Sequence, residues 1–181
     1  MSTPNFISLA RLIAVPLIVY LILQSSYGWA FWVFVLAGVS DALDGYLAKR
    51  MDQVSNLGSY LDPIADKSLL VGVYVTLGYQ GLIDDSVVVL VVFRDLMIVG
   101  GVILLFIFRN HTKVEPILVS KINTGAQLSL VTVVLAEAGN EFFIPMLDNT
   151  LSYLVIVTTI LSGGWYLVRW GRQMAGVEES R

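Results

Sequence analysis

Of the five aspartates in the stretch DALDGYLAKRMDQVSNLGSYLDPIADK, residues 41–67, four fall in two close pairs: Asp41 with Asp44, and Asp62 with Asp66. If both flanks are helical, Asp41 and Asp44, three apart, share one face, and Asp62 and Asp66, four apart, share another. Gly45 and Ala48 fall on the Asp41 face and are small enough for a ligand or a neighbouring backbone to come close. Hydropathy puts all four carboxylates in or beside a membrane, where that much negative charge requires compensation. Oxygen donors of this kind suit hard divalent cations, and two Mg²⁺ or Mn²⁺ would neutralise the set. A single acid pair on a helix is usually a solvated face. Two pairs at membrane depth, separated by a short loop containing Gly58, point to a metal site.

The elements that must position these residues are apolar helices. The chain has 181 residues, 56% of them hydrophobic, and a mean hydropathy of +0.77. Such a composition indicates an integral membrane protein. Six apolar runs, 7–23, 29–47, 63–79, 87–108, 117–136 and 147–170, are close to the roughly 20 residues needed to cross a bilayer. The expected fold is therefore all-α, a single domain over 1–181 built as a bundle of six transmembrane helices. Connections are short, and no repeat or low-complexity segment interrupts them.

Charge segregation sets the expected orientation. Lys49, Arg50, Arg109, Lys113, Arg169, Arg172 and Arg181 fall on one side; Asp84, Asp85, Glu137, Glu141 and Asp148 fall on the other, without any Lys or Arg. The positive-inside rule puts both termini and the aspartate stretch in the cytoplasm of a bacterial inner membrane or its equivalent. No cleavable signal peptide is expected, since the first apolar run carries Arg11 and follows no basic segment. Without cysteine, disulfide and thiolate chemistry are excluded, and the lone His111 leaves no histidine-rich metal site.

Further polar residues interrupt the apolar runs. Arg11 either faces a polar cavity or snorkels to the interface. The Arg94-Asp95 pair, far from either end of its run, either ties helices together or meets a ligand. In VSKINTGAQ, residues 119–127, Lys121, Asn123, Thr124 and Gln127 either cap a helix or line a headgroup pocket. Trp29, Trp32, Trp165 and Trp170 near run ends suit an aromatic belt. Gly100-Gly101 and Gly163-Gly164 are expected to permit close helix packing. A cation channel is the competing class, but the aspartates cluster at one end and only Arg94-Asp95 continues toward the other.

The aspartate stretch resembles the motif D-x2-D-G-x2-A-R-x8-G-x3-D-x3-D of the CDP-alcohol phosphatidyltransferases. Asp41, Asp44, Gly45, Ala48, Gly58, Asp62 and Asp66 match in register, and Lys49 replaces the usual arginine, with Arg50 beside it. Lysine keeps the charge and loses the planar fork that grips phosphate in two places. The opening TPNFISLARLIAVP is similar to the PN-x-(L/I)-(T/S)-x2-R-x4-P start of many members. The resemblance implies transfer of a phosphatidyl group from CDP-diacylglycerol to an alcohol with release of CMP. It implies metal ligation by Asp41, Asp44, Asp62 and Asp66, with Asp66 as the catalytic base. It also implies a CDP-lipid site including Asn5, Gly45, Ala48, Lys49, Gly58 and Lys67, and a homodimer. Membrane lipids, rather than nucleic acid, are the expected partners.

Acceptor choice turns on the fourth and fifth runs. FRDLMIV carries Arg-Asp where phosphatidylglycerophosphate synthases tend to have Arg-Glu. SKINTGAQ is similar to the S-K-x-N-T-x2-Q of CMP-forming cardiolipin synthases, whereas the glycerophosphate enzymes usually show G-K-x-K-T-x2-Q. Asn123 thus stands where a lysine would suit a nearly dianionic phosphomonoester; the diester of phosphatidylglycerol carries one charge. The resemblance leans to phosphatidylglycerol as acceptor, with Arg11, Arg94, Lys121 and Asn123 as acceptor-binding candidates and glycerol-3-phosphate as the alternative acceptor.

Overall fold

A computed structural model describes the backbone of residues 3–51, 58–107, 118–141, 144 and 146–178, and the side chains of 13–40, 67–101, 118–141, 144 and 146–169. Six helices follow one another: α1 (Thr3–Leu23), α2 (Tyr27–Met51), α3 (Gly58–Tyr79), α4 (Asp85–Ile107), α5 (Leu118–Ala138) and α6 (Leu147–Glu178). Among the described residues there is no strand. Each expected run falls on one helix, except that residues 108 and 117 of the fourth and fifth runs lie outside the described residues. Polar ends such as Thr3–Asn5 and the residues after Trp170 continue the helix while contributing little to hydropathy.

Three helix ends share one terminating device. Ser25, Gly81 and Asn140 adopt left-handed backbone at φ 55°, 71° and 56°. The next residue in each case donates five residues back: Ser26 to Leu21, Leu82 to Leu77 and Glu141 to Ala136, each at 2.9 Å. Ser25, Gly81 and Asn140 themselves donate three residues back, which completes a Schellman closure. Carbonyls that would otherwise lack donors are thereby satisfied, and the chain turns within a few residues.

Around a shared core, α1 packs on α2 and α3, α3 on α4 and α5, and α6 on α4 and α5, while α2 also meets α5. Ile18, Ile22, Phe34, Val73, Leu77, Leu130 and Leu135 are buried together there. The outer surface is also apolar: Ile13, Trp29, Leu36, Phe93, Leu96, Tyr153, Val157, Ile160 and Leu161 are all exposed. Buried polar residues, by contrast, gather inside, with Arg94, Asp95, Asn123, Gln127, Thr158, Thr159 and Ser162 all enclosed.

The expectation of six spans meets a narrower result. Among the described residues two helices are long and apolar enough to cross a membrane, Leu118–Ala138 and Leu147–Arg169; Ile13–Leu23 and Tyr27–Ser40 are shorter apolar segments.

The glycine expectation is also corrected. A Cβ on Gly163 would meet Met97 and Arg94 of α4 at 3.5 and 3.8 Å, so this glycine does serve close packing. Among the described residues, nothing lies within 4 Å of a Cβ on Gly100 or Gly164. Tighter approaches lie elsewhere: a Cβ on Gly78 would stand 2.7 Å from Val88 Cγ2, and one on Gly139 would stand 2.7 Å from the Gly28 backbone nitrogen. Only glycine there lets α5 reach the start of α2.

Candidate active site

The aspartate motif is divided between consecutive helices. Asp41 and Asp44, with Gly45, Ala48, Lys49 and Arg50, lie in the second half of α2; Gly58, Asp62, Asp66 and Lys67 lie in the first half of α3. The backbone is helical on both sides, so the spacings of three and four place each acid pair on one helical face. Carboxylates are hard oxygen donors, the ligand chemistry that suits divalent cations. The side chains of Asp41, Asp44, Gly45, Ala48, Lys49, Gly58, Asp62 and Asp66 lie outside the described residues, as do those of Asn5 and Arg11. No second cluster of three acidic or histidine side chains occurs among the described residues.

Lys67, next to Asp66 in sequence, leads from the motif into the interior. Its Nζ lies 2.9 Å from Oδ1 of Asp95 on α4. The same oxygen accepts from Arg94 Nη1 at 2.6 Å. Arg94 also donates from Nε and Nη2 to Ser162 Oγ on α6, at 3.2 and 2.7 Å, and from Nη2 to Ser120 Oγ on α5. With Arg94 2% and Asp95 1% exposed, the pair sits where an uncompensated charge would cost several kcal/mol. One arginine therefore joins three helices, and its carboxylate partner joins a fourth through Lys67.

A neutral polar seam runs beside it. Asn123 and Gln127, one helical turn apart on α5, are fully buried. Asn123 Oδ1 accepts from Thr158 and Thr159 of α6 at 2.7 and 3.0 Å. Tyr74 of α3 donates its hydroxyl to the Gln127 main-chain oxygen at 3.1 Å. Asn123 Nδ2 and both amide atoms of Gln127 have no hydrogen-bond partner among the described residues. Lys121 is exposed.

Of the acceptor candidates, Arg11 lies outside the residues whose side chains are described. Arg94 and Asn123 are buried between α4, α5 and α6, and Lys121 faces outward. The sequence reading did not single out Ser120, Thr158, Thr159 and Ser162. Its available signal was a polar stripe at helical spacing on the otherwise apolar α6.

Fold and motif together define a helical protein carrying a divided carboxylate set. Residues 1–163 match the CDP-alcohol phosphatidyltransferase family. The chain belongs to that family. It is 36% identical over 192 residues to CDP-diacylglycerol–glycerol-3-phosphate 3-phosphatidyltransferase 1, chloroplastic, of Oryza sativa, covering 94% of this chain and 57% of the relative. It is 36% identical over 154 residues to the cardiolipin synthase (CMP-forming) of Rattus norvegicus, covering 75% and 50%. The CDP-diacylglycerol–glycerol-3-phosphate 3-phosphatidyltransferase of Aquifex aeolicus is 30% identical over 168 residues, covering 90% of this chain and 92% of the relative. The chain spans about half the length of the first two relatives.

Proposed function

We propose that this chain transfers a phosphatidyl group from CDP-diacylglycerol to phosphatidylglycerol, forming cardiolipin and CMP. The observation that carries the transferase reading is the aspartate motif, in register on two consecutive helices. Asp41, Asp44, Asp62 and Asp66 would hold two Mg²⁺ or Mn²⁺. When bound, these ions neutralise the pyrophosphate and stabilise the charge on the departing CMP. Asp66 takes the proton of the acceptor hydroxyl as its oxygen bonds to the lipid-side phosphorus. The phosphoanhydride bond breaks, and CMP leaves with the bridging oxygen. Asn5, Gly45, Ala48, Lys49, Gly58 and Lys67 bind the CDP-lipid, the glycine and alanine positions leaving room for it.

Charge supports the acceptor choice. A glycerophosphate monoester would call for more cations, and Asn123 supplies none. The glycerol-3-phosphate reading remains the alternative because the rice and Aquifex relatives carry that name. The deciding assay gives purified protein CDP-diacylglycerol with equal amounts of both acceptors. Cardiolipin should dominate, and Asn123→Lys should raise glycerol-3-phosphate use or impair phosphatidylglycerol use. Exclusive formation of phosphatidylglycerophosphate by the unaltered protein would overturn the acceptor assignment.

The reading includes a single domain over 1–181 with six membrane spans, both termini and the motif on the cytoplasmic side, in a homodimer. Helices of 21 to 32 residues are long enough for the spans. An apolar exterior around a polar interior supports a lipid surrounding. Because the chain lacks cysteine, single-cysteine variants test the topology cleanly. Labels introduced at Asp84 or Asn149 should react from the side opposite those at Arg172. A monomer with full activity in mild detergent would refute the dimer.

A further inference from the structure

At the end of the bundle remote from the motif, the α1–α2 turn and the end of α5 enclose a cavity of about 520 Å³. Trp29, at this cavity, precedes Asp41 by twelve residues on α2, so the two sites are separated by roughly 18 Å of helix. Tyr27, Trp29 and Trp32 supply aromatic walls, and Glu141 contributes a carboxylate.

Backbone packing and one ring contact hold parts of this lining. The Gly28–Gly139 approach holds the start of α2 against the end of α5. Phe31 packs edge-on against Trp32, with ring centroids 5.2 Å apart and planes at 75°. Glu141 is anchored by its main-chain N–H on Ala136, and its Oε1 stands 3.2 Å from where a Cβ of Gly28 would lie. The connections at this end contain acidic residues but neither lysine nor arginine, so the local field favours a cation.

Aromatic faces beside a carboxylate recognise a substituted ammonium group. Trp29 is 72% exposed and Trp32 51%, so the mouth opens outward through side chains that favour the headgroup layer of a bilayer. We propose that this cavity binds the ammonium headgroup of a zwitterionic phospholipid, of the ethanolamine or choline class. The inference rests on the membrane-spanning reading and is independent of the transferase chemistry.

The test is native mass spectrometry of the full chain from a maltoside detergent. Short-chain phosphatidylethanolamine, phosphatidylcholine and phosphatidylglycerol are added singly, alongside free ethanolamine and choline. One zwitterionic lipid per chain should be retained, about threefold or more weakly in Glu141→Gln and Trp32→Leu and unchanged in Trp165→Leu. Equal retention in all variants, or equal retention of phosphatidylglycerol, would overturn the proposal. Free choline or ethanolamine binding as tightly as the lipids would overturn the lipid assignment. Separately, co-flotation of each variant with reconstituted vesicles reports whether the spanning reading itself holds. Loss of lipid retention with intact flotation therefore bears on the cavity alone.

Discussion

The chain holds two concentrations of charge that differ in how they are balanced. Residues 41–67 contain five aspartates, four of them the paired Asp41, Asp44, Asp62 and Asp66, against Lys49, Arg50 and Lys67 as the basic residues. The interior of α4, α5 and α6 holds Arg94 and Asp95, ringed by Ser120, Ser162 and Lys67 at hydrogen-bonding or ion-pairing distance. The second group pairs its charges with protein partners across four helices, although Asp95 Oδ2 has no hydrogen-bond partner among the described residues. The first has an excess of negative charge, which the proposed reading compensates with divalent cations.

The sharpest way to separate the two regions is through activity. Asp66→Asn should cut transfer by roughly 10²–10⁴-fold if Asp66 removes the hydroxyl proton, with CDP-lipid binding still measurable. Excess chelator should abolish turnover, and Mg²⁺ or Mn²⁺ should restore it. Near-native turnover in either condition would erase the contrast, since the acid surplus would then have no chemical role. The melting temperature of Asp66→Asn should change little.

The interior should answer in the opposite currency. Asp95→Asn removes the shared oxygen charge opposite Lys67 and Arg94 and should destabilise the fold by about 3–5 kcal/mol, read by thermal unfolding in detergent. A smaller effect is expected from Gly139→Ala, about 1–3 kcal/mol, because its Cβ would press on the Gly28 backbone. Ser162→Ala should cost about 1–2 kcal/mol by taking one acceptor from Arg94. Last, Gly100→Ala should fall within about 1 kcal/mol of neutral, with any effect toward stability, because among the described residues nothing lies within 4 Å of the added methyl. If Asp95→Asn melted like the unaltered chain while losing activity, the interior pair would be chemical rather than structural.

Much of this was legible in the chain alone. Period and hydropathy located all six helices, because an apolar run of about 20 residues has few other ways to satisfy its backbone. The motif was legible because the chemistry fixes residue types at fixed spacings.

Residue identity and order by themselves determined the helix positions, the divided carboxylate set and the family. Only the tertiary structure decided which polar residues met. Arg94 could have faced a ligand or a neighbour; packing gave it Asp95, Ser120 and Ser162, from positions as far away as 68 residues. Asn123, a candidate for the acceptor, was turned onto Thr158 and Thr159. The glycine pairs expected to pack yielded only Gly163, while Gly28 and Gly139 made a close approach. The reason is that spacing along a helix defines a face, whereas the partner of that face depends on how separate helices rotate and cross.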